Sequence, residues 1–133
     1  GELDVMALPP CHLLYMFGIE GEKLHLSMVQ RSADVPLGIP YNIASYALLL
    51  LLICRITGLS PGKFVHFSWN THIYQDQMEG IVHQITREPF EAPSIWIDER
   101  IKTLEDLETW VTTDCFKMVN YQHHPKIVFP FSE

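Results

Sequence analysis

His12-Leu13-Leu14-Tyr15-Met16-Phe17-Gly18-Ile19 and Leu24-His25-Leu26-Ser27-Met28-Val29-Gln30 stand on either side of Glu20-Gly21-Glu22. Both runs are apolar and aromatic, each is short, and a glycine-centred turn signal separates them, so the stretch reads as an antiparallel hairpin. A hairpin returns the chain to the end at which it started. It therefore carries Cys11, just before the first strand, and Arg31, just after the second, to the same end of a sheet.

Downstream, Ile43 to Ile56 is almost wholly apolar, with Leu48 to Ile53 aliphatic throughout. The run is shorter than the roughly 20 apolar residues a membrane span needs, Ser45 interrupts it, and Arg55 and Gly58 close it. With Pro40 ahead of its start and Gly58 at a helix-stop position, it is expected to be a core helix covered on all sides, with no membrane partner. Pro61-Gly62 then marks a turn and Phe64 to Ser68 a strand. Thr71 to Arg87 reads as an amphipathic helix halted before Pro89. Ser94 to Asp98 is a further strand, and Thr103 with Asp106 forms a capping pair for a short helix bearing Leu104, Leu107 and Val111. Phe116 to Tyr121 is the last strand and Pro125 to Glu133 a tail. The expected architecture is α+β, a mixed or antiparallel sheet packed with a long buried helix, in one domain spanning residues 1–133.

Composition narrows the function. At 133 residues and 47% hydrophobic content, the chain has enough apolar surface for a moderate core. A formal charge of −7 argues against a nucleic-acid surface, which needs a basic patch. Three cysteines without a Cys-x-x-Cys pair fit a reducing compartment, and a cytoplasmic location is expected. The seven histidines contain no His-Glu-x-x-His, His123 and His124 are adjacent rather than a turn apart, and no metal site is expected.

The chemistry lies in Cys11, Arg31 and Asn42. A uracil ring is a poor nucleophile at C5 until a thiolate adds at C6. The enolate that results needs a donor at O4 and an acceptor for N3–H, and a nucleotide phosphate needs a cation with paired donors. Singly, each residue has a plainer reading: a lone cysteine as a small hydrophobe, an arginine opening a polar loop as surface solvation, an asparagine near a helix start as a cap. His72 and Tyr74 likewise read as half-buried packing residues. Cys54 and Cys115 keep the plain reading, whereas Pro9-Pro10 before Cys11 and His12 after it give that thiol a stiff, polar setting.

Taken jointly, the motifs resemble the thymidylate synthase family. They are Met6-Ala7-Leu8-Pro9-Pro10-Cys11-His12, Gln30-Arg31-Ser32 with Asp34, Leu37-Gly38, Asn42-Ile43-Ala44-Ser45-Tyr46-Ala47, Thr57-Gly58 with Pro61-Gly62, His72-Ile73-Tyr74, and Arg87-Glu88-Pro89. The resemblance implies a thymidylate-synthase-like fold, in its C-terminal half, and a role for each matching position. Cys11 would attack C6 of dUMP, with Asn42 reading O4 and N3 and His12 joining the polar network near O4. Gln30, Arg31 and Ser32 would hold the nucleotide, the last two at its phosphate, and His72 and Tyr74 the sugar hydroxyl. Asp34 would bind the pterin of 5,10-methylenetetrahydrofolate and serve catalysis there, with Leu37 and Gly38 lining the folate face. Family members are about twice this length. The resemblance therefore also implies a companion N-terminal segment or chain carrying further catalytic groups, and a homodimer.

Departures from the family pattern bear on the product. Asn70 replaces an Asp, Trp69 a Gly, Gln77 a His and Pro36 a Phe, and the tail ends Phe129-Pro130-Phe131-Ser132-Glu133 rather than on a small apolar residue. A tail that seals the site favours hydride transfer and thymidylate, whereas a polar, bulkier one admits water and favours 5-hydroxymethyl-dUMP, the product of the related phage deoxyuridylate hydroxymethylases. This reading favours hydroxymethylation, in host cytoplasm if the chain is phage-encoded, with reductive methylation of dUMP to dTMP as the alternative. A non-catalytic structural partner half is a third possibility.

Overall fold

The structure, a computed structural model, describes residues 8–131. Met6 and Ala7 of the first motif and Ser132 and Glu133 of the tail lie outside the described residues.

The hairpin forms as expected. β1 (His12–Glu20) and β2 (Lys23–Asp34) pair antiparallel from Glu20↔Lys23 to His12↔Gln30, and Gly21 supplies the positive φ of 59° that the tight turn demands. At the open end, the Arg31 backbone N–H donates to the Cys11 carbonyl at 2.9 Å, so Cys11 and Arg31 do share one end of the sheet. Leu24, Leu26, Met28 and Gln30 alternate as the buried face of β2. β1 is exposed along its whole length.

From β2 the chain enters α1 (Gly38–Thr57) and returns in β3 (Ser60–His72), which lies parallel to β2 and completes a mixed sheet of order β1-β2-β3. A parallel neighbour needs such a crossover. β4 (Ser94–Ile97) and β5 (Phe116–Val119) form a small antiparallel sheet on the other side of α1. The α+β class with a mixed sheet and a long helix stands.

Several local expectations are corrected. α1 starts before Pro40, not after it: the proline sits in the first turn, where its missing N–H would have no intrahelical partner anyway. Gly58 closes the helix at φ 74°, its N–H on the Cys54 carbonyl. The helix is not covered on all sides. Leu50 and Cys54 pack with Leu24 and Leu26, and Leu48, Leu51, Leu52 and Ile56 pack towards Ile97, Ile101 and Cys115, but Tyr41, Ile43, Ala44 and Ser45 remain exposed. By length and a mean hydropathy of 1.7, α1 could cross a membrane, and 11% of that window is buried; it packs between two layers through Leu50 and Cys54 on one side and Leu48, Leu51, Leu52 and Ile56 on the other.

Pro61-Gly62 is not a turn but part of β3, at a register irregularity opposite Leu24 and Leu26. A Cβ on Gly62 would lie 2.8 Å from the Leu24 carbonyl oxygen, so only glycine lets the strands approach here. β3 also runs on to His72, paired with Asp34, through residues expected to be helical. The long β2 ladder imposes extended backbone there, and after a short 3₁₀ turn at Gln75–Gln77 the helix α2 covers only Met78–Ile85. β5 ends at Val119 rather than Tyr121 because Asn120 takes a left-handed φ of 58°. The Thr103–Asp106 capping box is present at the start of α3 (Leu104–Thr109), and Val111 lies beyond that helix.

Candidate active site

β2 and β3 end together, and α1 begins beside them, so the carboxyl ends of two parallel strands and a helix N-terminus surround one region, the usual location of a ligand crevice in parallel α/β units. The start of β1 brings Cys11 to the same rim. Cys11 is a free, half-exposed thiol. Arg31 is tied to the segment before it: Nε donates to the Pro10 carbonyl at 3.1 Å and a terminal guanidinium nitrogen to the Pro9 carbonyl at 2.6 Å. A guanidinium has five N–H donors, so this anchoring leaves donors for an anion while fixing where the cation stands.

Gln30 is the centre of the first polar group. Only 3% exposed, it donates from Nε2 to the Asn42 Oδ1 at 3.0 Å and to the Ser32 carbonyl at 2.7 Å, and its Oε1 meets His66 Nε2 at 2.9 Å. Asn42 lies one turn into α1 and is no N-cap; Leu37 holds that position without a side-chain cap. Burial, and secondarily the nearby His12, push the His66 pKa down, which favours the neutral imidazole. His12 meets the Tyr46 hydroxyl at 3.3 Å through Nδ1, with the rings edge to face. Tyr46 in turn stacks on Phe64 and Phe64 on His66. Burial, then Tyr15, raises the Tyr46 pKa, so its hydroxyl stays protonated.

A second polar group gathers around Asp34. Its Oδ1 accepts from the Leu37 backbone N–H at 3.1 Å and its Oδ2 from Gln77 Nε2 at 3.2 Å. Gln77, fully buried, also donates to the Pro130 carbonyl at 3.2 Å and accepts from the Tyr74 N–H at 2.9 Å. His72 faces Tyr74 edge to face, and because its Nδ1 lies 3.0 Å from the Asn70 carbonyl it must donate there, which leaves Nε2 for other partners. Gly38 joins the two groups: a Cβ placed on it would lie 3.5 Å from Asn42 Oδ1 and 3.8 Å from the Asp34 Cβ.

Beyond this second group, a cleft of about 850 Å³ opens between the start of α1, the end of α2 and the tail. Leu37, Tyr41 and Phe129 line it together with Arg87, Glu88 and Lys126, a size and a mixed apolar and charged lining that suit an aromatic ligand with polar groups. Phe129 lies across Gly80, where an added Cβ would come within 2.5 Å of the ring.

The structure thus brings Cys11, Gln30, Arg31, Ser32 and Asn42 to one rim and Asp34, Leu37, His72 and Tyr74 to the adjoining one. His12 contacts Tyr46 rather than either amide. Two participants escaped the sequence reading. His66 was visible only as a strand residue, although strand alternation with Phe64 and Ser68 places it on the same face; Gln77 stood out only as a departure from a family histidine. Among the described residues, no cluster of His, Cys, Asp and Glu could hold a metal.

A family model described as thymidylate synthase matches residues 1–133. The thymidylate synthase of Photobacterium profundum is 47% identical over 99% of this chain and 47% of its own length. That of Haemophilus influenzae is 49% identical over the same shares. Among solved structures, the thermostable thymidylate synthase A from Bacillus subtilis superposes with a TM-score of 0.89 at 36% identity, covering 98% of this chain and 45% of that one. The chain spans about half the length of the curated relatives it matches.

Proposed function

From a chain that belongs to the thymidylate synthase family, we propose the reductive methylation of dUMP to dTMP, with this chain supplying the nucleophile, the base-reading amide and part of the phosphate and folate sites. The observation that carries the proposal is the convergence of Cys11, Arg31 and the Gln30–Asn42 pair on one rim of the sheet.

The Cys11 thiolate adds to C6 of the uracil, forming a C–S bond and moving the C5–C6 π electrons through C4 onto O4. Asn42 supports that charge by donating to O4 and accepting from N3–H. Arg31 and Ser32 hold the phosphate, and His72 and Tyr74 take the sugar hydroxyl. Leu37 and the apolar part of the cleft fit the aromatic rings of 5,10-methylenetetrahydrofolate, with Asp34 offering its carboxylate to the pterin. When bound, that co-substrate supplies both the one-carbon unit and the hydride. As the base is released, the C–S bond breaks and Cys11 is regenerated.

Methylation displaces the hydroxymethylation expected from the polar tail. The relatives at 46–49% identity are thymidylate synthases, and the tail is anchored at two points, the Pro130 carbonyl accepting from Gln77 and the Phe129 ring lying on Gly80, while Val128 and Phe131 stay exposed. A tail anchored at these two points restricts water there and so favours hydride transfer to the one-carbon unit over attack by water. The remaining catalytic groups come from a companion N-terminal segment, the working form is a homodimer, and the free thiols suit a reducing cytoplasm. Incubation of the whole protein with dUMP and methylenetetrahydrofolate tests this. Thymidylate formed in step with dihydrofolate is the expected result. Hydroxymethyl-dUMP without dihydrofolate would return the assignment to a hydroxymethylase, and no product together with no dUMP affinity to a structural partner half.

A further inference from the structure

An asparagine amide is nearly symmetric in shape. Rotated one way it offers N–H to a 4-oxo group and oxygen to N3–H, which suits uracil; rotated by half a turn it offers oxygen to a 4-amino group and N–H to N3, which suits cytosine. Asn42 left free would serve both bases. In this chain it is not free.

The Ser32 carbonyl oxygen only accepts, so the atom of Gln30 lying 2.7 Å from it must be the amide nitrogen. Exchanging the two ends of that amide would press two oxygens together where Gln30 is 3% exposed. The remaining contacts then follow in turn. Gln30 Oε1 faces His66 Nε2 at 2.9 Å, so the imidazole carries its hydrogen on Nε2. The second N–H of Gln30 points at Asn42 at 3.0 Å, so Oδ1 must be the inward atom there. The Asn42 NH₂ group is thereby directed away from Gln30, while Oδ1 keeps a lone pair for another donor.

We propose that His66 and Gln30 are positioning residues that lock the Asn42 amide in a single orientation, and that this lock makes the site selective for a 4-oxo over a 4-amino pyrimidine nucleotide. The inference rests on the reading of Asn42 as the base-reading residue. Burial, and secondarily His12, lowers the His66 pKa, in keeping with a neutral ring beside Gln30.

The test is equilibrium binding of dUMP and dCMP to the whole protein, unaltered and as His66→Phe, Gln30→Leu and His66→Gln, with circular dichroism to confirm folding. The unaltered protein prefers dUMP. His66→Phe and Gln30→Leu lower the dUMP-to-dCMP affinity ratio by about tenfold, more than they weaken dUMP itself, and His66→Gln, which keeps a donor, recovers most of the ratio. A ratio unchanged in folded His66→Phe overturns the lock and leaves the site assignment standing; because His66 is only half-buried, that variant decides if Gln30→Leu does not fold. An unaltered protein that binds neither nucleotide overturns the site assignment and the lock together.

Discussion

Gln77 and Asp34, 43 positions apart, meet through Nε2 and Oδ2 at 3.2 Å, and the same Gln77 nitrogen reaches the carbonyl of Pro130 in the tail. One buried amide therefore ties the Asp34 carboxylate, on the proposed folate side of the site, the Tyr74 turn and the tail into a single unit. Where the family pattern has a histidine, glutamine offers two N–H donors and an acceptor at once, which one imidazole cannot, and removes a titratable group.

Gln77→Leu removes a hydrogen bond to a charged acceptor, an interaction of about 1.5–3 kcal/mol. The expected outcome is a KM for methylenetetrahydrofolate raised about tenfold, with dUMP affinity little changed. Steady-state kinetics alongside dUMP binding check it; equal losses for both ligands would show general disruption instead.

Cys11→Ser leaves the phosphate and base contacts in place but offers a far weaker nucleophile. Turnover should fall below detection while dUMP binding persists. Retained turnover would remove Cys11 from the mechanism.

Gly62→Ala sets a methyl group 2.8 Å from the Leu24 carbonyl oxygen and 2.7 Å from the His25 ring. The ring can move, but the backbone cannot without breaking the β2–β3 register. Overpacking of this kind costs about 1–3 kcal/mol, to be read from the urea midpoint.

Acid stability should depend on Asp98 and Asp106. Arg100 holds the Asp98 carboxyl at about 2, and hydrogen bonds from Trp110, Lys102 and Thr103 hold that of Asp106 at about 2, against an ordinary 3.8. The unfolded chain takes up these protons near 3.8 and the folded one only near 2, so the stabilisation is complete above that window and is lost as pH falls through it. Asp106→Asn should flatten the acid limb of a stability profile measured by thermal melting; an unaltered limb would show that the carboxylate contributes nothing there.

The parts of the fold set by local chemistry were legible in the sequence. Glu20-Gly21-Glu22 marked the hairpin, Gly58 the end of α1, and Thr103 with Asp106 the start of α3, because each signal acts within a few residues. What misled was tertiary. The helical periodicity after Thr71 gave way to pairing with β2, and Pro61-Gly62, a turn signal in isolation, became a close strand approach under Leu24. The motif residues of the site were readable only as a joint pattern, and the hairpin explained why Cys11 and Arg31 meet. The links between them were not readable: Gln30 to His66 spans 36 positions and Gln77 to Pro130 spans 53, distances at which no sequence periodicity operates.

The most direct test of the central claim is to trap the protein with dUMP and methylenetetrahydrofolate, quench it with acid, digest it, and weigh the cysteine peptides. A nucleotide mass attached to the peptide bearing Cys11, and to neither the Cys54 nor the Cys115 peptide, is the predicted result. Turnover with that peptide unmodified, or with the adduct on either buried cysteine, would contradict it.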